Sequence, residues 1–206
     1  MMNLFENLSW LPKPPENFSQ RLSKALNGDD LKGLAKFALD DNQLNRLYKK
    51  TSSIKKNRIN LKTLTPMKVG LISNSTTKLI VPALIASALR YGIILEVIEA
   101  EYNQVAQEAF SEYSILKDHK LNAVLLSIDY HGLPILPTPG NKEAADKSVQ
   151  DCLGYIKSLL ISLKSKTKSS IIFQNIAVNV EKISGSVEAR LPGTLPWLIN
   201  RINIEL

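Results

Sequence analysis

The stretch KVGLISNSTT at residues 68–77 decides how the rest of the chain is interpreted. Its first half, residues 68–72, is an apolar run of strand length, and its second half is a small polar turn: Ser73, Asn74, Ser75, Thr76 and Thr77. A strand-length run that enters a polar turn and then a longer amphipathic stretch is typical of a βα unit in a parallel sheet. Ligands of such sheets bind beyond the carboxyl ends of the strands, so this turn is the first candidate site.

The βα pattern repeats towards the end of the chain. Three further strands are predicted, at residues 94–99, 122–128 and 170–174. Helices are predicted between and after them, at residues 78–91, 104–113, 141–163 and from residue 193 onward. This alternation predicts an α/β fold, a doubly wound parallel sheet with a flavodoxin-like layout. Four strands are one βα step fewer than the usual five, and we therefore expect a domain truncated at its C-terminus.

The first sixty residues show a different pattern, typical of helices. Apolar residues recur there at helical spacing, for example at Phe18, Leu22 and Leu26. Clusters of Asn and Asp at residues 27–30 and 40–42 separate the helical stretches, and an Asp in each cluster is expected to cap the next helix. We predict two or three short helices, a helical N-terminal extension at residues 1–64 and an α/β domain at residues 65–206.

Composition limits the class of protein. The chain has 206 residues, of which 44% are hydrophobic. Its apolar runs are all shorter than the roughly 20 residues that span a bilayer, and the N-terminus lacks the pattern of a secretion signal. The single cysteine, Cys152, cannot form an internal disulfide and is expected to be a buried small hydrophobe. A cytoplasmic protein with no membrane span is therefore expected.

Positive charge is concentrated in one part of the chain, within a formal net charge of +7. No Asp or Glu occurs between Asp41 and Glu96, whereas this interval holds Arg46, Lys49, Lys50, Lys55, Lys56, Arg58, Lys62, Lys68, Lys78 and Arg90. Such a block attracts an acidic protein, phosphates or nucleic acid, or it forms an ordinary solvated face. Few aromatic residues interrupt it, so we expect no nucleic-acid partner.

The polar turn at residues 73–77 allows two interpretations. In the first, Ser75 is a nucleophile, or part of an anion site, beside the free N–H groups of a helix start. In the second, Ser75, Thr76 or Thr77 is only the N-cap of that helix. Gly-rich dinucleotide and phosphate-loop motifs are absent from the sequence, as are residues at metal-ligand spacing, so we expect no cofactor and no metal.

Polar segments also follow the other predicted strands, at residues 100–103, 129–132 and 175–179, and are expected on the same rim of the sheet. His131 in the second segment is either an acid–base partner of Ser75 or a surface-loop histidine. Asn175 in the third segment either donates to a developing negative charge or bonds to its own loop.

Several segments of the chain resemble the N-terminal region of FkbH-like proteins. They are residues 10–12 (WLP), 69–77 (VGLISNSTT), 81–84 (VPAL), 99–104 (EAEYNQ), 127–134 (SIDYHGLP), 185–186 (GS) and 191–194 (LPGT), with Asn203 beyond. In that family this region is similar to an SGNH-hydrolase (GDSL-type) fold. It precedes a haloacid-dehalogenase-like domain implicated in making glyceryl-acyl-carrier-protein. The resemblance therefore implies an SGNH-like domain and a C-terminal dehalogenase-like partner domain.

The resemblance also implies roles for individual residues. Ser75 matches the nucleophile, Asn175 is the nearest match to the oxyanion-hole Asn, and Asn103 or Gln104 lies near the other oxyanion donor. Asn74 stands where the family usually has Asp, and the Asp-x-x-His block that supplies the base would lie beyond residue 206. The dehalogenase nucleophile motif Asp-x-Asp does not occur in the sequence, so no phosphatase chemistry is assigned to this chain.

Three functions are consistent with these patterns. The first is a docking or transfer domain in which the Ser75 rim receives an acyl or glyceryl group, with these binding residues: Ser73, Asn74, Thr76, Thr77, Asn103, Gln104 and Asp129. An acidic acyl carrier protein would then bind the basic stretch at residues 46–62. The second is a serine esterase or acyltransferase on a small or carbohydrate ester, with Ser75, Asn175 and His131 as catalytic residues. The third is a non-catalytic scaffold for a C-terminal domain.

Overall fold

The computed structural model describes residues 10–56, 61–177 and 185–206. Three helices come first: α1 (Phe18–Lys24), α2 (Gly28–Ala35) and α3 (Asp41–Lys56). Strands and helices then alternate in the order β1 (Thr65–Ser73), α4 (Ile80–Ala88), β2 (Ile93–Glu99), α5 (Val105–Phe110), β3 (Ala123–Ser127), α6 (Lys142–Thr167), β4 (Ser170–Phe173) and α7 (Leu195–Glu205). Arg58 of the basic stretch and rim residues 178–179 lie outside the described residues.

The four strands form one parallel sheet in the order β2-β1-β3-β4. In the ladder between β1 and β3, Val69 pairs with Ala123 at one end and Ser73 pairs with Ser127 at the other. This order is that of the first four strands of a flavodoxin-like sheet. The predicted fold class is therefore confirmed: an α/β protein with a flavodoxin-like parallel sheet and an N-terminal helical part.

The two central strands, β1 and β3, are apolar because side chains on both of their faces are buried. The last five residues of β1 are all buried, and Ile72 has no exposed surface. Val124 and Leu126 of β3 are equally inaccessible. A parallel strand covered on both faces requires an apolar residue at nearly every position, which explains why short apolar runs identified these strands in the sequence.

Helix α6 contributes a long apolar stripe to the core around β3. Its buried apolar residues recur at spacings of three and four: Ala145, Val149, Cys152, Ile156, Leu159 and Leu163. They pack in one cluster with Ile72, Leu126 and Ile128. Burying one Leu or Ile side chain stabilises a fold by about 2 kcal/mol, so this stripe fixes α6 on the sheet. Cys152 is buried as predicted, and burial raises the pKa of its thiol to about 11.

The chain divides into two compact units. One contains residues 10–56 and 61–68 together with Thr77–Val97, and the other contains Val69–Thr76 with the described part of Ile98–Leu206. The first unit has its own core, formed by residues of α1, α2 and α3 with two from the α4 region: Phe18, Leu22, Leu31, Leu34, Leu44, Leu47, Ala86 and Leu89. The domain boundary after residue 64 stays a prediction.

Two of the N-terminal helices, α2 and α3, begin at a side-chain cap, whereas α1 has none. The side chain of Asn27 accepts a hydrogen bond from the Asp30 N–H at the start of α2, so the prediction of an Asp cap at this helix is wrong. At the start of α3, Asp40 accepts from the Gln43 N–H while the Gln43 side chain accepts from the Asp40 N–H. This reciprocal pair satisfies two otherwise free donors and confirms the predicted Asp cap there.

Among the residues that the structure describes, none of the helices has both the length and the apolar character needed to span a membrane.

Candidate functional site

The carboxyl ends of β1 and β3 lie side by side, because Ser73 and Ser127 are paired in the parallel ladder. Asn74 and Ser75 follow β1 directly, and Asp129 follows β3 after one further residue. In a flavodoxin-like sheet this position is the topological switch point, where ligands of doubly wound proteins bind. Two of the polar segments predicted for the rim are therefore neighbours in the structure.

The hydroxyl of Ser75 is exposed and bonded to a carboxylate. Its Oγ donates to Asp129 Oδ2 over 2.9 Å, and the Ser75 N–H donates to Ser73 Oγ over 3.0 Å. Leu79 is the N-cap residue of α4, and no side-chain hydrogen bond is made at that cap. The interpretation of Ser75 as the cap of α4 is therefore wrong: its hydroxyl serves the contact with Asp129.

Asn74 is buried and holds Asp129 at two points. Its Nδ2 donates to Asp129 Oδ1 over 2.6 Å, and its Oδ1 accepts from the Asp129 N–H over 3.0 Å. The same Asp129 Oδ1 accepts from the His131 N–H over 2.9 Å and so caps a short 3-10 turn at Tyr130–Gly132. Asp129 is thus the centre of the hydrogen-bond network at this site.

These contacts set the charge state of Asp129. Burial by itself would raise its pKa, but hydrogen bonds from the Asn74 and Ser75 side chains and from the His131 N–H outweigh burial and lower the pKa. A positively charged His131 acts in the same direction. Asp129 is therefore ionised at neutral pH. Because a carboxylate with a lowered pKa is a weak base, it orients Ser75 more effectively than it activates it.

His131 contacts the same carboxylate. Its Nδ1 lies 3.4 Å from Asp129 Oδ1, its side chain is 69% exposed, and its ring packs against Tyr130 with centroids 3.9 Å apart. The contact places the imidazole in the Ser75 network through Asp129. A role for His131 as the base that serves Ser75 stays a prediction.

The remaining rim residues are less directly connected. Asn103 adopts a left-handed backbone conformation, with φ of 59°, and its N–H donates to the carbonyl of Ser73 over 3.2 Å. This bond fixes the loop after β2 at the end of β1, while the Asn103 side chain is exposed. Gln104 is half-buried at the start of α5, and Thr76 is exposed. The carbonyl of Thr77 accepts from the N–H groups of Ile80 and Val81.

Asn175, the predicted oxyanion donor, lies at a separate cavity. This cavity of about 620 Å³ is lined by Asn175, Ala189, Trp197, Asn200, Arg201, Asn203 and Ile204. Asn203 of α7 fixes the adjacent loop, since its side chain donates to the carbonyl of Ile176 and accepts from the N–H of that residue, both over 2.8 Å. A shared catalytic role for Asn175 and Ser75 stays a prediction.

The described residues contain no group of three or more His, Cys, Asp or Glu side chains that could hold a metal ion.

The sequence predicts Asp129 as a binding residue from its position after a strand alone, and it does not predict the central place of Asp129 in the hydrogen-bond network. The network forms because β1 and β3 are neighbours in the sheet. The order of strands in a sheet cannot be recognised from a local sequence pattern, so the sequence did not predict this contact. Asp-Tyr-His-Gly after a strand, with Asp at a cap position, was the available hint.

Fold and site together define a doubly wound α/β domain with a carboxylate-centred polar site at its switch point. A similar solved structure is the N-terminal part of the protein BF1531 from Bacteroides fragilis, which contains a phosphatase domain and was crystallised in complex with Mg. The TM-score is 0.60 and the sequence identity 20% over 80% of this chain, which spans 40% of that chain. Protein-family models and curated proteins give no match. At this identity the likeness establishes a shared fold.

Proposed function

We propose that this chain is the SGNH-like N-terminal domain of an FkbH-like biosynthetic protein, in which the Ser75 rim receives a carrier-linked acyl or glyceryl group. The observation that carries the proposal is the bond from Ser75 Oγ to Asp129 Oδ2 at the switch point. The similar B. fragilis structure is a larger chain that contains a phosphatase domain, and this supports a dehalogenase-like C-terminal partner domain for the proposed protein.

The chemistry of the site favours a neutral group that bears hydroxyls. An ionised Asp129 accepts hydrogen bonds, and charge-assisted bonds from hydroxyl donors are among the stronger ones available in a site. Ser75 adds an exposed hydroxyl that both donates and accepts. A glyceryl group offers such hydroxyls, whereas a phosphate or free carboxylate would meet the negative charge of Asp129. The prediction that Asp129 helps to bind an anion is untested, and the negative charge of its carboxylate disfavours such binding.

The basic helix α3 supports an acidic carrier protein as partner. Lys49 and Lys56 are exposed on this helix. Lys55 instead forms an ion pair with Glu96 over 3.1 Å, and Lys68 contacts the same carboxylate over 3.3 Å. The hydrogen bond from Lys55 is the main cause that lowers the pKa of Glu96. Lys49 and Lys56 thus offer positive charge to an acidic partner, which would chiefly raise the association rate.

Reversing these two charges is the test of carrier docking. Relative to wild type, Lys49→Glu/Lys56→Glu is expected to weaken binding to an acidic acyl carrier protein about tenfold at low salt, and less at high salt because ions screen the charges. Pull-down followed by titration measures this affinity. Lys147→Glu/Lys157→Glu, which reverses two exposed lysines of α6, is the matched control. Equal affinity of all three proteins for every carrier tested would count against docking on α3.

A serine esterase or acyltransferase is the second candidate function, favoured by the placement of Ser75 and His131 on one carboxylate. If Ser75 is the nucleophile, Ser75→Ala is expected to lower hydrolysis of short-chain aryl esters at least a hundredfold. Ser158→Ala removes an exposed serine hydroxyl on α6 and is expected to leave the rate unchanged. Equal rates in wild type and Ser75→Ala would eliminate this function, whereas carrier binding can persist without it.

A further inference from the structure

Asn74 is the most constrained polar residue of the site. It is only 8% exposed, and both polar atoms of its side chain are engaged by Asp129. The assignment of its two atoms is unambiguous, because the Asp129 N–H can only donate and an ionised carboxylate can only accept. The amide therefore faces Asp129 with its oxygen towards the backbone and its nitrogen towards the carboxylate.

This arrangement fixes which carboxylate oxygen faces Ser75. Asp129 Oδ1 is occupied by Asn74 Nδ2 and by the His131 N–H. The other oxygen, Oδ2, is left to accept from Ser75 Oγ. Rotation of the carboxylate would break the bonds to Oδ1, so the orientation towards Ser75 depends on the amide of Asn74 together with the His131 N–H.

The space for Asn74 is preserved by Gly132. A Cβ at position 132 would lie 2.9 Å from both Cγ and Nδ2 of Asn74 and 2.7 Å from Cγ2 of Ile128. These separations are shorter than side chains tolerate, so any larger residue would displace the amide. Glycine at the end of the 3-10 turn and asparagine at the end of β1 therefore fit one another.

We propose that Asn74 is a positioning residue whose amide locks the Asp129 carboxylate towards Ser75, and that this role requires an amide in place of a carboxylate. An Asp at position 74 would set two carboxylate oxygens against each other across the present 2.6 Å contact, and the pair would retain a proton. The inference rests on the proposed function only in taking Ser75 as the group that is positioned.

The test is an NMR titration of the side-chain carboxyl carbons in the whole chain. In Asn74→Asp, one carboxyl of the 74/129 pair is expected to titrate above the wild-type midpoint of Asp129. Asn45→Asp adds the same charge at an exposed position of α3 and is expected to leave the Asp129 midpoint unchanged. A folded Asn74→Asp protein in which both carboxyls titrate at or below the wild-type Asp129 midpoint would overturn the proposal.

Two further variants keep the test decisive. His131 is the other titratable group against Asp129, so the Asn74→Asp titration is repeated with His131→Gln, where the raised midpoint should persist. If Asn74→Asp fails to fold, Asn74→Ala removes the amide without adding a charge, and the Asp129 midpoint should again rise because the carboxylate loses the hydrogen bond from Nδ2. An unchanged midpoint in that variant contradicts the proposal. Because the titration requires no ligand, its outcome is independent of whether a carrier or ester binds.

Discussion

Replacing Gly193 by alanine is expected to lower the free energy of unfolding by about 3 kcal/mol. Gly193 has φ of 83°, a conformation that residues with a Cβ rarely adopt, and an added Cβ would lie 2.0 Å from the carbonyl oxygen of Thr138. Because this oxygen belongs to the backbone, it cannot move away by a change of side-chain rotamer. The clash would break two backbone hydrogen bonds, each 2.8 Å long. One runs from the Thr138 N–H to the Gly193 carbonyl, and the other from the Gly140 N–H to the Pro192 carbonyl.

Gly140 provides a matched control for this substitution. Its φ of 82° is nearly identical, but an added Cβ would meet nothing within 4 Å. Gly140→Ala therefore carries only the backbone strain, about 1 kcal/mol, and the difference between the two variants isolates the clash with Thr138. Urea unfolding of both variants and of the wild type measures the two free energies. Equal losses in both variants would show that the clash is relieved at negligible cost.

The central strands could be predicted from the sequence because their burial leaves a local trace. β1 and β3 are covered on both faces, so nearly every position is apolar and the runs are bounded by polar turns. The predicted limits fall within three residues of the observed ones for every strand. The observed strand ends differ from the predicted ones because a strand extends as far as its neighbour supplies hydrogen bonds. For this reason β1 begins at Thr65, three residues before its predicted start.

Helix ends were predicted less well, because capping and tertiary contacts determine them. α5 ends at Phe110, three residues before the predicted limit, and α6 continues to Thr167, four residues beyond it. The extension of α6 ends where Lys168 adopts a left-handed conformation and its N–H donates to the Lys164 carbonyl. The sequence does not predict this end, because the left-handed residue that ends a helix is usually glycine and position 168 is a lysine.

The candidate site could be predicted only as a set of strand ends. Ser75 and Asp129 were each placed on the rim by the rule that ligands bind beyond parallel strands. Their contact depends on β1 lying next to β3, which follows from the order of the sheet. Asn175 follows the edge strand β4 and lines a cavity with residues of α7. The distinction between these two environments is a consequence of topology, so spacing along the chain did not reveal it.

Removal of the Asp129 side chain is expected to destabilise the protein by about 2 kcal/mol at neutral pH. Asp129→Ala deletes the acceptor for the Asn74 side chain, the Ser75 hydroxyl and the His131 N–H. The loss at Asn74 dominates, because that amide is buried and water cannot readily replace its partner. The Asp129 side chain is 38% exposed, which keeps the expected value below that of a fully buried charged network. Asp118→Ala, an exposed carboxylate, is the control, with an expected change within about 0.5 kcal/mol.

The destabilisation by Asp129→Ala should also depend on pH, with a sign set by the lowered pKa of Asp129. A group whose pKa is lower in the folded than in the unfolded state contributes stability above its unfolded pKa, near 4, and loses it as the pH falls through the folded value. The difference between wild type and Asp129→Ala is therefore expected to shrink as the pH falls below about 4. Urea unfolding at several pH values measures it. A difference that grows as the pH falls below about 4 would mean that Asp129 is favoured in its protonated form, and the carboxylate-centred site would have to be abandoned.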